Sequence, residues 1–169
     1  PLLKYMGSTG AMVIISTGMS TSEDISDALS AVRGGGKSPA ALLHCVSNYP
    51  TKAKDANLRK IAALKDTYNV PVGFSDHTEG WAAAVQAVTL GACIIEKHFT
   101  LDKDLPGPDH RFSSTPDELR ELVSEVRFAE MRMGNDALVP SESEMEHRDE
   151  FRVGIVADRD FAIGDKMTK

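Results

Sequence analysis

The chain has 169 residues, of which 41% are hydrophobic and 26% charged, and its formal net charge is −6. That is enough for one domain with a core of its own. No apolar run approaches the roughly 18 residues a membrane helix needs, and the acidic balance, with no basic stripe, argues against nucleic acid as a partner. The two cysteines, Cys45 and Cys93, sit in separate apolar runs. They make no disulfide framework and fit a reducing, cytoplasmic compartment. The opening Pro1-Leu2-Leu3-Lys4 carries neither an initiator Met nor a signal pattern and reads as a chain entered partway through.

Short apolar runs alternate with amphipathic ones. Met12 to Ser16 predicts a strand. Ser20 and Glu23 form a capping-box pattern, followed by Ile25, Leu29 and Val32 at helical spacing and by Gly34-Gly35-Gly36 as a stop. Ala40 to Val46 predicts a second strand, and Leu58, Ile61 and Leu64 a second helix. Val70 to Phe74 predicts a third strand, with a small-residue helix from about Trp81 to Leu90 after it. Cys93 to Phe99 is the fourth strand candidate. Thr115, Pro116 and Glu118 then open a helix. Leu119, Leu122, Val123, Val126 and Met133 share one of its faces, and Gly134 closes it.

Four strand-helix units in succession predict an α/β fold with a parallel sheet. An open doubly wound sheet would favour a glycine-rich phosphate turn after its first strand, and none follows Ser16. A (β/α)8 barrel needs about 250 residues, so this chain has room for half of one. Residues 1–134 are therefore read as a partial TIM barrel and 135–150, polar and acidic, as a linker. Residues 151–169 are read as the start of a second domain, with a turn signal at Ala162-Ile163-Gly164-Asp165.

Barrels place their chemistry at the C-terminal ends of strands. Polar groups gather there in Ser47-Asn48-Tyr49, Ser75-Asp76-His77-Thr78 and Glu96-Lys97-His98. His77 and His98 lie one strand-helix-strand step apart, so they fit neighbouring strands at one height. Two neutral imidazoles facing one pocket suit manganese, zinc or iron. A lone strand-end histidine is more often a hydrogen-bonded polar residue than a ligand, and the pair fits either role. Alternation puts Ser75 with His77, and Glu96 with His98, on one face. Glu96 or Asp76 is then placed to orient an imidazole. His44 reads as structural, His147 as solvated, and His110 as open. Asp109, on the stiff loop Leu105-Pro106-Gly107-Pro108-Asp109-His110, is either a plain turn residue or a holder of sugar hydroxyls. Tyr49 is either a loop anchor or a sugar-stacking group.

These segments also resemble a family. His44-Cys45-Val46-Ser47-Asn48-Tyr49-Pro50-Thr51, Gly73-Phe74-Ser75-Asp76-His77-Thr78, Glu96-Lys97-His98-Phe99-Thr100, Gly107-Pro108-Asp109 and Ser16-Thr17-Gly18-Met19 are similar, in order and spacing, to the sialic acid synthases. The resemblance implies strands five to eight of a (β/α)8 barrel and a C-terminal antifreeze-like domain, here cut short. It implies His77 and His98 as ligands of a divalent metal, manganese. It further implies contacts of Ser47 and Ser75 with phosphoenolpyruvate, and of Tyr49 and Asp109 with an N-acetylated amino sugar.

The implied reaction joins C3 of phosphoenolpyruvate to the sugar's aldehyde carbon, adds water at C2 and releases phosphate. The metal polarises the aldehyde. By the same resemblance the full-length protein is a homodimer. The family's substrate lysines fall upstream of Pro1, so the chain alone is expected to lack synthase activity, and its open sheet edges to favour association. Gly107-Pro108-Asp109 sits nearer the N-acetylneuraminate or legionaminate branch than the pseudaminate one. Where many members read Arg-Arg-Ser, this chain reads Phe151-Arg152-Val153-Gly154.

Two other readings compete. One is a different metal-dependent barrel, such as another phosphoenolpyruvate-condensing synthase or a Schiff-base aldolase. The second is a non-catalytic metal- or sugar-binding protein descended from a synthase. An aldolase needs an inward strand-end lysine, and Lys97 has the opposite parity to His98.

Overall fold

A computed structural model describes residues 1–157 and 159–166. The chain divides into two compact units, Pro1–Gly134 and Asn135–Lys169. The first holds α1 (Leu2–Ser8), β1 (Val13–Ser16), α2 (Ser22–Arg33), β2 (Ala40–Cys45), α3 (Lys60–Tyr68), β3 (Val72–Asp76), α4 (Ala82–Thr89), β4 (Ile95–Lys97) and α5 (Pro116–Met133). The strands form one parallel sheet in the order β1-β2-β3-β4, each pairing with its chain neighbour.

One core covers one face of this sheet. Leu42, Val72 and Phe74 point outward from their strands into Ile25 and Leu29 of α2, Ile61 and Leu64 of α3, and Ala87 of α4. Helices on a single face, with no reversal of strand order, are the arrangement of half a (β/α)8 barrel and not of a doubly wound sheet. By register and alternation the opposite, inward face carries Ile14, Ser16, Ala41, Leu43, Cys45, Gly73, Ser75 and Glu96.

Several local expectations change in detail. The box that starts α2 is Thr21 with Asp24, one residue beyond the Ser20–Glu23 pair. Both pairs share the same spacing, so the pattern alone does not choose a frame. The Thr21 hydroxyl accepts from the Asp24 N–H, and Asp24 accepts from the Thr21 N–H. The Thr115–Glu118 box on α5 forms as expected, with Pro116 in the first turn. The buried face of α5 runs through Leu122 and Ala129, while Val123 and Met133 are about half exposed. Helix α1, which no periodic pattern announced, packs closely on α2. A Cβ on Gly7 would run into the Val32 carbonyl, so only glycine permits that approach.

In the second unit, helix α6 (Glu142–Phe151) occupies much of the stretch read as a linker. Ser141 caps it, and the Glu144 carboxylate answers from inside the first turn. Within 151–169, positions 158 and 167–169 lie outside the described residues. The described part forms a turn closed by the Asp165 N–H donating to the Ala162 carbonyl, and it contains no strand. No helix among the described residues is long and apolar enough to cross a membrane.

Candidate functional site

The inward face ends in a cluster built from three strand ends. His77 follows β3 and His98 follows β4, each one residue past the last ladder pair, Asp76 with Lys97. Their rings lie edge to face with centroids 5.1 Å apart. The Tyr49 ring sits 4.2 Å from His77 and 5.6 Å from His98. Phe112 closes the far side, 5.2 Å from His98 and 5.8 Å from Tyr49. Sequence reasoning did not single out Phe112. It stands three residues after Asp109, on a one-turn helix over His110–Phe112 that folds back on the site.

One hydrogen bond fixes a donor on His77. Its Nδ1 lies 2.8 Å from the Val46 carbonyl. A carbonyl only accepts, so Nδ1 carries a proton, and in the neutral ring Nε2 then holds the lone pair. Neither expected carboxylate orients an imidazole. Glu96 instead accepts from the Ser75 hydroxyl at 2.6 Å, and that hydroxyl is itself 3.5 Å from His77 Nε2. Asp76 faces outward, where Lys97 meets it at 2.9 Å. The reason is parity: residues adjacent in a strand point to opposite faces, so Asp76 cannot share a side with His77. The nearest carboxylate to His98 is Asp109, whose Oδ2 is 3.8 Å from Nδ1, too long for a hydrogen bond.

The other expected residues fall as follows. The Ser47 hydroxyl packs against Gly18 beside the Cys45 sulfur. No direct bond joins Ser47 to either imidazole among the described residues. His44 is buried on the outward face, stacked on Phe74, and donates through Nε2 to the Ala56 carbonyl at 2.7 Å. Burial lowers its pKa from the usual imidazole value, with Lys60 adding to the effect and the Ala56 bond opposing it. His110 is tied to Thr100, Nδ1 to Oγ1, at 2.8 Å, which holds the loop base below Asp109. His147 is exposed on α6. The Tyr49 phenol is pushed above its ordinary pKa, first by desolvation and then by the nearby Cys45, Asp109 and Glu96. It therefore stays a protonated donor at neutral pH.

The donor chemistry suits a divalent ion. A metal–nitrogen bond of about 2.1 Å sets each ring centroid about 3 Å from the ion, so two rings on adjacent positions lie on the order of 4–5 Å apart. The observed separation of 5.1 Å is compatible with that. Among the described residues no three His, Cys, Asp or Glu side chains converge as a complete cage. The pair supplies two nitrogen donors and falls short of a complete set.

The sequence matches the NeuB family over residues 1–137. The chain belongs to the NeuB family. This NeuB chain is 42% identical over 173 residues to the N,N'-diacetyllegionaminic acid synthase of Legionella pneumophila, covering 100% of this chain and 49% of that protein. It is 38% identical over 156 residues to a pseudaminic acid synthase of Campylobacter jejuni, covering 92% and 45%. The crystal structure of an N-acetylneuraminic acid synthetase from Leptospira borgpetersenii, in complex with citrate, superposes with a TM-score of 0.80 at 42% identity, over 88% of this chain and 52% of that one. The chain spans about half the length of the curated relatives it matches.

Proposed function

We propose that this chain forms the metal-binding and sugar-facing side of a nonulosonic acid synthase, which joins phosphoenolpyruvate to N-acetylmannosamine or a related N-acetylated amino sugar and releases phosphate. The observation that carries the reading is the pairing of His77 and His98 at neighbouring strand ends, edge to face beneath Tyr49, in a NeuB chain. His77 and His98 would hold a divalent ion, manganese, which supplies Lewis acidity toward the sugar's aldehyde oxygen.

The side chains around the pair have distinct tasks in this reading. The Val46 carbonyl keeps the His77 proton on Nδ1, so Nε2 stays available as a ligand atom. Ser75 is held by Glu96 at the edge of the site, ready to turn its O–H toward an anionic reactant. Ser47 offers a second hydroxyl on the β2 side. Tyr49 covers one flank of both imidazoles with a ring that keeps water out and presents a protonated phenol. Asp109, beside His98 on the loop, accepts from sugar hydroxyls. Holding two reactants in attack geometry removes much of the entropic barrier to joining them.

A Schiff-base aldolase is disfavoured by the position of Lys97. Its amino group is buried on the outward face, bound to Asp76 and to the Thr78 carbonyl, so it does not face the inner pocket. The test is manganese binding followed by the paramagnetic resonance of the free ion, in parent and His77→Ala protein. The expected result is loss of binding by about tenfold or more on removing one ligand. Unchanged affinity in His77→Ala would remove the histidine pair from the site. Manganese binding with no phosphate released from phosphoenolpyruvate and any N-acetylated hexosamine by the full-length protein would favour the non-catalytic reading.

A further inference from the structure

The outward faces of β3 and β4 are apolar until their last ladder pair. Val72, Phe74 and Ile95 feed the core, and then Asp76 and Lys97 meet as an ion pair with side chains 0% and 4% exposed. A buried pair is an expensive choice there, since apolar residues of similar volume are often as stabilising or more so. The pair is also fully bonded. The Asp76 carboxylate accepts from Lys97, from the Thr78 N–H at 2.8 Å and from the Thr78 hydroxyl at 2.7 Å. The Lys97 ammonium reaches on to the Thr78 carbonyl.

The backbone ladder between β3 and β4 stops at Asp76 and Lys97, one residue before each histidine. Past that point the two chains are drawn in different directions. The His77 carbonyl accepts from the Thr51 N–H of the β2 loop at 2.8 Å, and the His98 carbonyl from the Ser114 N–H at 2.8 Å. Among the described residues, no backbone hydrogen bond joins residues 77–78 to residues 98–99. The Lys97 side chain spans that gap. It starts one residue before His98 and ends on the residues on either side of His77.

We infer that Asp76 and Lys97 are positioning residues, a cross-strand clamp on the outer face that holds the His77 and His98 rings at one height and spacing on the inner face. The inference rests on the reading of the two histidines as ligands of a divalent ion. The clamp touches neither the ion nor any reactant. It acts through the backbone of the residues that do, by replacing the missing ladder pair with charge and hydrogen bonds.

The test compares manganese affinity and melting temperature in parent, Asp76→Leu/Lys97→Met and His77→Ala proteins. The double substitution removes both charges together, so no buried charge is left unpaired, while Thr78 loses the acceptor of its N–H and hydroxyl. Manganese binding is expected to weaken about tenfold or more, the usual effect of losing groups that orient a ligand. An Ile61→Val control in the core lowers the melting temperature and leaves the affinity unchanged, which separates positioning from general softening. If the charge-free variant does not fold, Asp76→Asn/Lys97→Met keeps the acceptor for Thr78, loses only the cross-strand link, and is read the same way. A folded variant with the parent's affinity, where His77→Ala has lost it, overturns the clamp and leaves the metal reading standing. Parent affinity in His77→Ala overturns the metal reading, and the clamp with it.

Discussion

Gly73→Ala probes how closely β4 must approach β3 for the histidines to meet. Gly73 lies on the inward face of β3, paired with Leu43 of β2 and flanked by Ile94. A Cβ built there would fall 2.6 Å from Leu43 Cδ2 and 2.7 Å from Ile94 Cβ, and would press on the Ile94 carbonyl. Carbon atoms pack at about 3.5–4.0 Å, so about 1 Å must be found. Leu43 can turn, but a backbone carbonyl cannot, so the start of β4 has to move. Overpacking of this kind costs typically 1–3 kcal/mol. With a urea slope of about 1–3 kcal/mol/M, the denaturation midpoint drops by about 1 M. Because His98 follows the three-residue strand Ile95–Lys97 directly, the same shift carries its ring away from His77 and weakens manganese binding on the order of tenfold. Urea unfolding followed by circular dichroism gives the first number and manganese titration the second. A Gly73→Ala protein that keeps both the midpoint and the affinity would refute the close approach of β4 as the feature that sets the histidine spacing.

Two further outcomes follow from local chemistry. His44 is held neutral by burial, so its folded pKa lies below the unfolded value of about 6.5. The unfolded chain therefore binds the extra proton as pH falls through that value, and stability declines on the acid side while remaining unaffected above it. His44→Gln, which keeps an N–H for the Ala56 carbonyl, should flatten the fall in denaturation midpoint between pH 7 and 5; identical slopes would clear His44 of the effect. Thr115→Ala removes the hydroxyl that caps α5 and should cost about 1 kcal/mol, read as a lower urea midpoint, whereas no shift would show that packing and the ion pair of Lys103 with Glu118, 2.6 Å apart, hold that helix end without its cap.

Much of the site was legible because strands obey a strict alternation. Once β3 and β4 are placed, His77 and Ser75 must share a face, His98 and Glu96 must share a face, and Lys97 must point away. The His77 and His98 rings meet on that face, with Tyr49 beside both and Asp109 near His98. The partners of these groups were not legible. Glu96 and Asp76 both stood beside the imidazoles in sequence, yet one binds Ser75 and the other Lys97, while a backbone carbonyl from the β2 loop orients His77. A carbonyl looks the same at every position of a sequence, so no residue type announces that role. Phe112 was missed for a related cause: it reaches the site by a loop that folds back, not by a strand end.

Residue periodicity and capping patterns thus determined the order of the four strands and of helices α2 to α5, the parallel sheet and the face on which each strand residue lies, because those depend on spacing along the chain alone. Distances through space decided the rest. The choice of Thr21 over Ser20 as the cap of α2, the buried face of α5 and the outer clamp of Asp76 on Lys97 each depend on which atoms approach when separate segments pack. A polar group buried by that packing must take the nearest partner that satisfies it, and only the folded arrangement sets which partner is nearest.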